Sequence, residues 1–193
     1  FRSRYCASHM GQDFVPSTQH LLNCDKTKHG VRSGFLNKVL SFVKEHGFIA
    51  NKCWAALKKD EGKCLTAKDL MNCDSVAMFD HCYLNTQSTI KKEIFMNGPV
   101  ISVVEPFRNF LIYEKGVYNF DKDRKMEGNV FVKVVGWGKD AKKGDYWVVE
   151  STWGKNWGEN GLAKVKMNVK GSSIDNIALA VHPKRHEVKE ESE

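Results

Sequence analysis

The strongest constraint on this chain is a run of tryptophans and glycines within residues 136–161. It comprises Gly136-Trp137-Gly138, Tyr146-Trp147-Val148-Val149 and Trp153-Gly154-Lys155-Asn156-Trp157-Gly158-Glu159-Asn160-Gly161. Large rings want a core, and glycines permit tight turns and close backbone approach. Taken alone, the run reads as turn-and-core chemistry.

At 193 residues the chain can fill one core, or two small lobes packed as one unit. No apolar run reaches the roughly 20 residues that span a bilayer, so no transmembrane segment is expected. The abrupt start at Phe1-Arg2-Ser3-Arg4, without a basic-then-apolar leader, reads as a mature, processed or truncated product. The formal charge of +7 could mark a nucleic-acid or anionic-membrane footprint. However, lysines such as Lys91, Lys92, Lys142 and Lys143 lie near Glu93, Asp140 and Asp145 with no nucleic-acid motif beside them, so a solvated surface is preferred.

Pro16-Ser17-Thr18 before His20-Leu21-Leu22 predicts a short helix capped by Ser17. Phe35, Val39, Phe42 and Val43 recur at helical spacing, with Gly47 placed to end that helix. Residues 51–87 read as a long disulfide-pinned loop. Residues 88–96 resume helical spacing until Asn97-Gly98-Pro99 stops it. Residues 107–113 read as a brief helical turn. Strands are expected over 100–104, from Gly116, and over 130–135, 146–149, 162–169 and 177–181. Helices first and strands afterwards give an α+β class in two lobes.

In order and spacing, the tryptophan–glycine segments strongly resemble the end of the papain family of cysteine proteases. There a strand ending Gly-x-Gly leads to Asn-Ser-Trp-Gly-x-x-Trp-Gly-x-x-Gly. The matching positions are Gly136, Gly138, Trp153, Gly154, Trp157, Gly158 and Gly161. Leu21-Leu22-Asn23-Cys24-Asp25 resembles the family's Leu-Leu-x-Cys-Asp. Asn97-Gly98-Pro99-Val100, Phe110-Leu111-Ile112-Tyr113 and Gly116-Val117-Tyr118 resemble cathepsin B-like members in particular. The resemblance covers residues 5–184 and is weakest over 51–87. It implies the papain-like two-lobe fold as a single domain over 1–184, mainly helical to about residue 95 and antiparallel, barrel-like β from 96 to 184. A charged mobile tail is expected over 185–193.

The family's reaction needs a cysteine thiolate, an imidazole within hydrogen-bond reach, an Asn that orients the ring, and a Gln that helps stabilise the oxyanion. Counting back from Gly136, the imidazole position is Val130, which can neither accept nor donate a proton. The Asn position, one before Ser-Trp in the family, falls on Ser151 in Glu150-Ser151-Thr152-Trp153. The Gln-x₅-Cys segment would precede the part matching Tyr5-Cys6, so the nucleophile end of the left lobe is expected to be missing. The family's Cys-Asn-Gly-Gly reads Val31-Arg32-Ser33-Gly34, a sign that the nucleophile loop is absent or remodelled. Cys53-Trp54-Ala55-Ala56 imitates the nucleophile's surroundings but follows the Leu-Leu-x-Cys segment, so Cys53 is read as a disulfide partner. No cofactor is expected.

The six cysteines, Cys6, Cys24, Cys53, Cys64, Cys73 and Cys82, are all disulfide candidates, as befits a secreted or lysosome-like protein. Zinc is the rival for Cys64, Cys73, Cys82 and His81, but the short Cys-x₂₋₄-Cys knuckle is lacking, so no metal is expected. By the resemblance, Cys53 or Cys64 pairs with Cys24, and Cys6 seeks a partner in the missing segment.

The leading expectation is a catalytically inactive cathepsin B-like protein with a structural or protein- or peptide-binding role, since an inter-lobe cleft survives the loss of chemistry. One alternative is the heavy chain of a processed endopeptidase whose Cys/Gln-bearing light chain is a separate polypeptide that completes the left lobe. Another is a basic scaffold on nucleic acid or anionic membrane.

Overall fold

The computed structural model describes residues 1–25, 36–57, 63–66, 68–105, 108–120, 129–170 and 172–184. The chain forms two compact units, one of Phe1–His81 with the residues from Val181 on, the other of Cys82–Ala180.

The first unit contains α1 (Arg2–Ser8), α2 (Thr18–Cys24), α3 (Leu36–His46), β1 (Phe48–Ile49) and β2 (Ser75–Val76). Ser17 caps α2 as the sequence predicts. Its Oγ accepts from the His20 amide at 3.1 Å and donates to the Trp54 carbonyl at 2.6 Å, so the cap also fixes a distant loop. Gly47 ends α3 at φ 71°, and its amide returns to the Val43 carbonyl at 2.8 Å. A side chain there would also press on the Val76 carbonyl, 3.1 Å from a Cβ. β1 and β2 pair antiparallel. Ile49, Trp54 and Cys24 form a small core with Phe42, Leu65 and Leu70, and the Cys24–Cys64 disulfide closes onto it.

The chain passes between the units within β3 (Met78–Leu84) and again within β9 (Ala178–Pro183). Between these lie α4 (Gln87–Asn97), β4 (Val100–Val104), α5 (Arg108–Leu111), β5 (Val117–Tyr118), β6 (Val130–Asp140), β7 (Gly144–Glu150), β8 (Leu162–Lys166) and a 3₁₀ turn, Ser173–Asp175. Thr86 caps α4. Gly98, at φ 94°, ends it by returning its amide to the Ile94 carbonyl at 3.0 Å, and Pro99 cannot extend the ladder. Ile90 and Ile94, one turn apart, bury themselves against the sheet.

The sheet runs β3-β9-β4-β6-β7-β8-β5. Alternate residues Val100, Ser102 and Val104 of β4, Trp147 and Val149 of β7, and Ala163 and Val165 of β8 are buried, as a sheet with one covered face requires. Each fully buried aliphatic or aromatic side chain there contributes about 1.5–3 kcal/mol.

Three features differ from the sequence reading. Residues 51–87 are not all loop: β2 and β3 lie within them. In β3 Phe79 and Tyr83 are exposed, so the strand lacks the alternation that would announce it. β6 runs straight through Gly136-Trp137-Gly138, because a bulge between Val134 and Gly136 absorbs the irregularity that reads as a turn. β5 joins β8 in parallel, so the sheet is not purely antiparallel. The expected tail at 185–193 and the segment Val31-Arg32-Ser33-Gly34 lie outside the described residues.

Candidate functional site

Pairing of Lys133 with Glu150 sets the register of β6 and β7, which places Val130 and Ser151 at the same end of these neighbouring strands. Val130 is half-buried, packs against the main core and pairs with Val104 of β4. A valine side chain can neither take up nor give a proton. Residues 82–180 contain no histidine at all, so the second unit has no imidazole.

Ser151 is buried, and both of its groups are engaged in scaffold. Its Oγ accepts from the Trp153 amide at 3.2 Å, a side-chain turn of the kind serine makes two residues ahead. Its own amide donates to the Gly161 carbonyl at 3.0 Å. Ser151 therefore fastens both ends of the Trp153–Gly161 loop.

That loop is built around rings. Trp153 and Trp157 meet edge to face at 4.9 Å, and the wholly buried Phe110 lies 5.9 Å from the first and 5.2 Å from the second. The Trp157 indole N–H is shared between the carbonyls of Phe110 (3.1 Å) and Leu111 (3.0 Å), which ties the loop to α5. Gly154, Gly158 and Gly161 all have positive φ. At Gly158 a Cβ would run into the Leu162 carbonyl and the Tyr113 ring, whereas Gly154 borders open space. Gly138 lies against the Tyr146 ring.

Glu159 pins the loop from its other side. Its carboxylate accepts from Lys164 Nζ at 2.9 and 3.1 Å, from the Gly116 amide at 3.1 Å and from the Tyr113 hydroxyl at 3.0 Å. The Lys164 hydrogen bond holds the Glu159 carboxyl below its ordinary pKa, while burial pushes Tyr113 up to about 12. Asp175, buried behind the sheet, accepts from Trp147 Nε1 (2.8 Å), Gln87 Nε2 (2.9 Å) and the Asn168 amide (2.8 Å).

Sequence reasoning missed Phe110, Glu159 and Asp175 as the supports of this block. A buried indole needs an acceptor, which is a usable signal at Trp147 and Trp157. Which distant residue supplies it is not readable along the chain.

The cysteines depart from the expectation of general bridging. Cys64 joins Cys24, but Cys6, Cys53 and Cys73 form no disulfide among the described residues. Cys53 is thus not a disulfide partner here. Its thiol is hydrogen-bonded to that of Cys73, which raises the Cys73 pKa, so the two sulfurs are neighbours without a covalent bond.

Comparison with known proteins agrees with this scaffold. A family model described as papain family cysteine protease matches residues 1–182. Tubulointerstitial nephritis antigen of Homo sapiens is 26% identical over 200 residues, covering 85% of this chain and 41% of that protein. A cathepsin L-like protein of Caenorhabditis elegans is 29% identical over 170 residues, covering 84% of this chain and 49% of its own length. The chain thus spans about half or less of these relatives. Among solved structures, procathepsin B S9 from Trypanosoma congolense superposes with a TM-score of 0.82 at 25% identity, covering 95% of this chain and 65% of that one. The matched residues, the α+β architecture and the tryptophan–glycine loop together make this chain a member of the papain family of cysteine proteases.

Proposed function

We propose that this chain is a catalytically inactive member of the family that acts by binding a protein or peptide. The observation that carries the proposal is Val130, standing where the resemblance puts the general base, in a unit without a single histidine. A thiolate without its imidazole lacks both the partner that holds it charged and the acid that protonates the leaving amine. Ser151, at the orienting position, gives its oxygen to the Trp153 amide. The motif residues kept here support a loop and not a reaction. The similarity to a protein named as an antigen instead of a protease is in keeping with this.

The Cys24–Cys64 bond supports an oxidising setting, secreted or in a lysosome-like compartment. The test is direct: the purified protein is incubated with fluorogenic dipeptide substrates and with a thiol-directed active-site probe. Neither turnover nor labelling is expected. Hydrolysis that disappears when a cysteine is replaced would overturn the proposal.

A further inference from the structure

The first unit carries an ionisable group where three of its segments meet. His20 is the third residue of α2 and only 5% exposed. Its ring meets Phe42 of α3 at 5.3 Å and Trp54, in the loop after β1, at 6.4 Å. Both of those rings belong to the small apolar core around Cys24 and Ile49. The His20 Nδ1 is closed off from solvent and has no hydrogen-bond partner among the described residues. An imidazolium has two N–H groups to satisfy, and a charge buried without a partner is costly, so this setting suits only the neutral ring.

The charged groups on the elements packed against it offer no compensation. Within α2 the only other titratable side chain is Cys24, which is bonded to Cys64, and Asp25 lies beyond the far end of the helix. On α3, His46 meets the same Phe42 ring at 4.7 Å and adds like charge. Glu45 stands beside His46, at 3.8 Å, and Lys44 is paired with Asp80. In the loop, Lys52 is paired with Asp74, and the Cys53 thiol is hydrogen-bonded to that of Cys73. Acidification therefore places like charges around one phenyl ring, with no carboxylate set against His20 among the described residues.

The same turn of α2 holds the loop in place. Ser17 Oγ accepts from the His20 amide and donates to the Trp54 carbonyl at 2.6 Å, and the Gln19 side-chain oxygen accepts from the Leu57 amide at 2.8 Å. The His20 ring and these two loop hydrogen bonds join α2 to residues 54–57 at one place.

We propose that this junction is an acid-released latch: when His20 takes up its second ring proton, the ring leaves Phe42 and Trp54, and residues 54–57 open from α2. Burial already holds the His20 pKa below its ordinary value, so the closed form binds the proton less readily than the open one. The latch is complete above the open-form value near 6.5 and is lost as pH falls through the lowered closed-form value. The Cys24–Cys64 bond survives acid and keeps the opening local. The device does not depend on whether the chain is inactive.

The test is hydrogen–deuterium exchange of the whole protein from about pH 7.5 to about pH 4.5, read as protection factors so that the intrinsic pH dependence of exchange cancels, beside an NMR titration of the His20 ring. Protection over residues 17–24 and 50–57 should fall about tenfold across this range, with a midpoint that follows the His20 ring. Strands β6 and β7 of the second unit should keep theirs. His20→Phe and His20→Gln, neutral throughout, should hold protection within about twofold, and His46→Ala should lessen the loss by removing the like charge. If both His20 variants unfold the first unit already at pH 7.5, the titration of the unaltered protein decides alone: a shared midpoint upholds the latch. The proposal is overturned by protection that does not change with pH, by an equal loss in both units, by a loss that either folded His20 variant retains, or by a His20 ring that titrates with no loss of protection there.

Discussion

Val130 of β6 pairs across the sheet with Val104 of β4, and Val104 is wholly buried. Val130, where the resemblance puts an imidazole, lies at the rim of an apolar core. Two β-branched side chains directly opposite each other stabilise an antiparallel pair, so a valine suits this position in the strand.

The double variant Val130→His, Ser151→Asn should therefore not gain peptidase activity. Its imidazole would stand opposite Val104 at the rim of the apolar core, and the Trp153 turn would lose the Ser151 hydroxyl. A loss of about 1–3 kcal/mol in urea unfolding is expected, with hydrolysis of fluorogenic dipeptides unchanged from background. A rise in hydrolysis that a thiol-directed probe blocks would contradict this.

Asp175→Ala should be among the most damaging changes in the second unit. It strands the Trp147 indole and the Asn168 backbone amide at once and removes one of the two acceptors of the Gln87 NH₂. A cost of about 3 kcal/mol or more is expected, since each donor to a carboxylate is worth about 1.5–3 kcal/mol. Denaturant titration followed by tryptophan fluorescence reads it, and Asp175→Asn should lose less.

Two glycines of the tryptophan loop separate strain from space. Gly154→Ala meets open surroundings and should cost only the positive-φ penalty, about 1–2 kcal/mol. Gly158→Ala pays the same penalty and also drives a methyl into the Leu162 carbonyl and the Tyr113 ring, for about 3 kcal/mol in all. Equal melting temperatures for the two variants would refute the assigned contacts.

His20 gives the first unit a pH dependence. Burial, with His46 nearby adding like charge, holds its pKa below the ordinary 6.5, and its Nδ1 has no hydrogen-bond partner among the described residues. The folded form binds this proton less readily than the unfolded chain. The His20 contribution is thus complete above the unfolded value near 6.5 and is lost as pH falls through the lowered folded value. Thermal unfolding scanned downward from pH 7.5 should show this loss, and His20→Phe should flatten the slope below pH 6.5.

Cys53 and Cys73 should close on mild oxidation, because their thiols are already hydrogen-bonded. Intact mass should fall by two hydrogens, and peptide mapping should place the new bond between these two residues. A loop of this size stabilises by about 3 kcal/mol in the chain-entropy account. Bridging to Cys6 or Cys82 would contradict the assigned neighbours.

The chain order of residues carries the parts of this protein that depend on local chemistry. The Ser17 cap, the Gly47 and Gly98 helix ends, the buried pair Ile90 and Ile94, and the tryptophan–glycine family block all act over a few residues, where spacing dictates geometry. The absence of an imidazole from residues 82–180 is likewise a property of the sequence. Tertiary structure decided the rest, because its partners are remote. Asp175 reaches Trp147 across 28 residues, and Phe110 slots beneath Trp157 across 47. β3 is a strand because of the sheet it joins, not because of its own pattern. The cysteines show the same division: the resemblance offers Cys53 or Cys64 as the partner of Cys24, and only folding decides that Cys64 is the one that meets it.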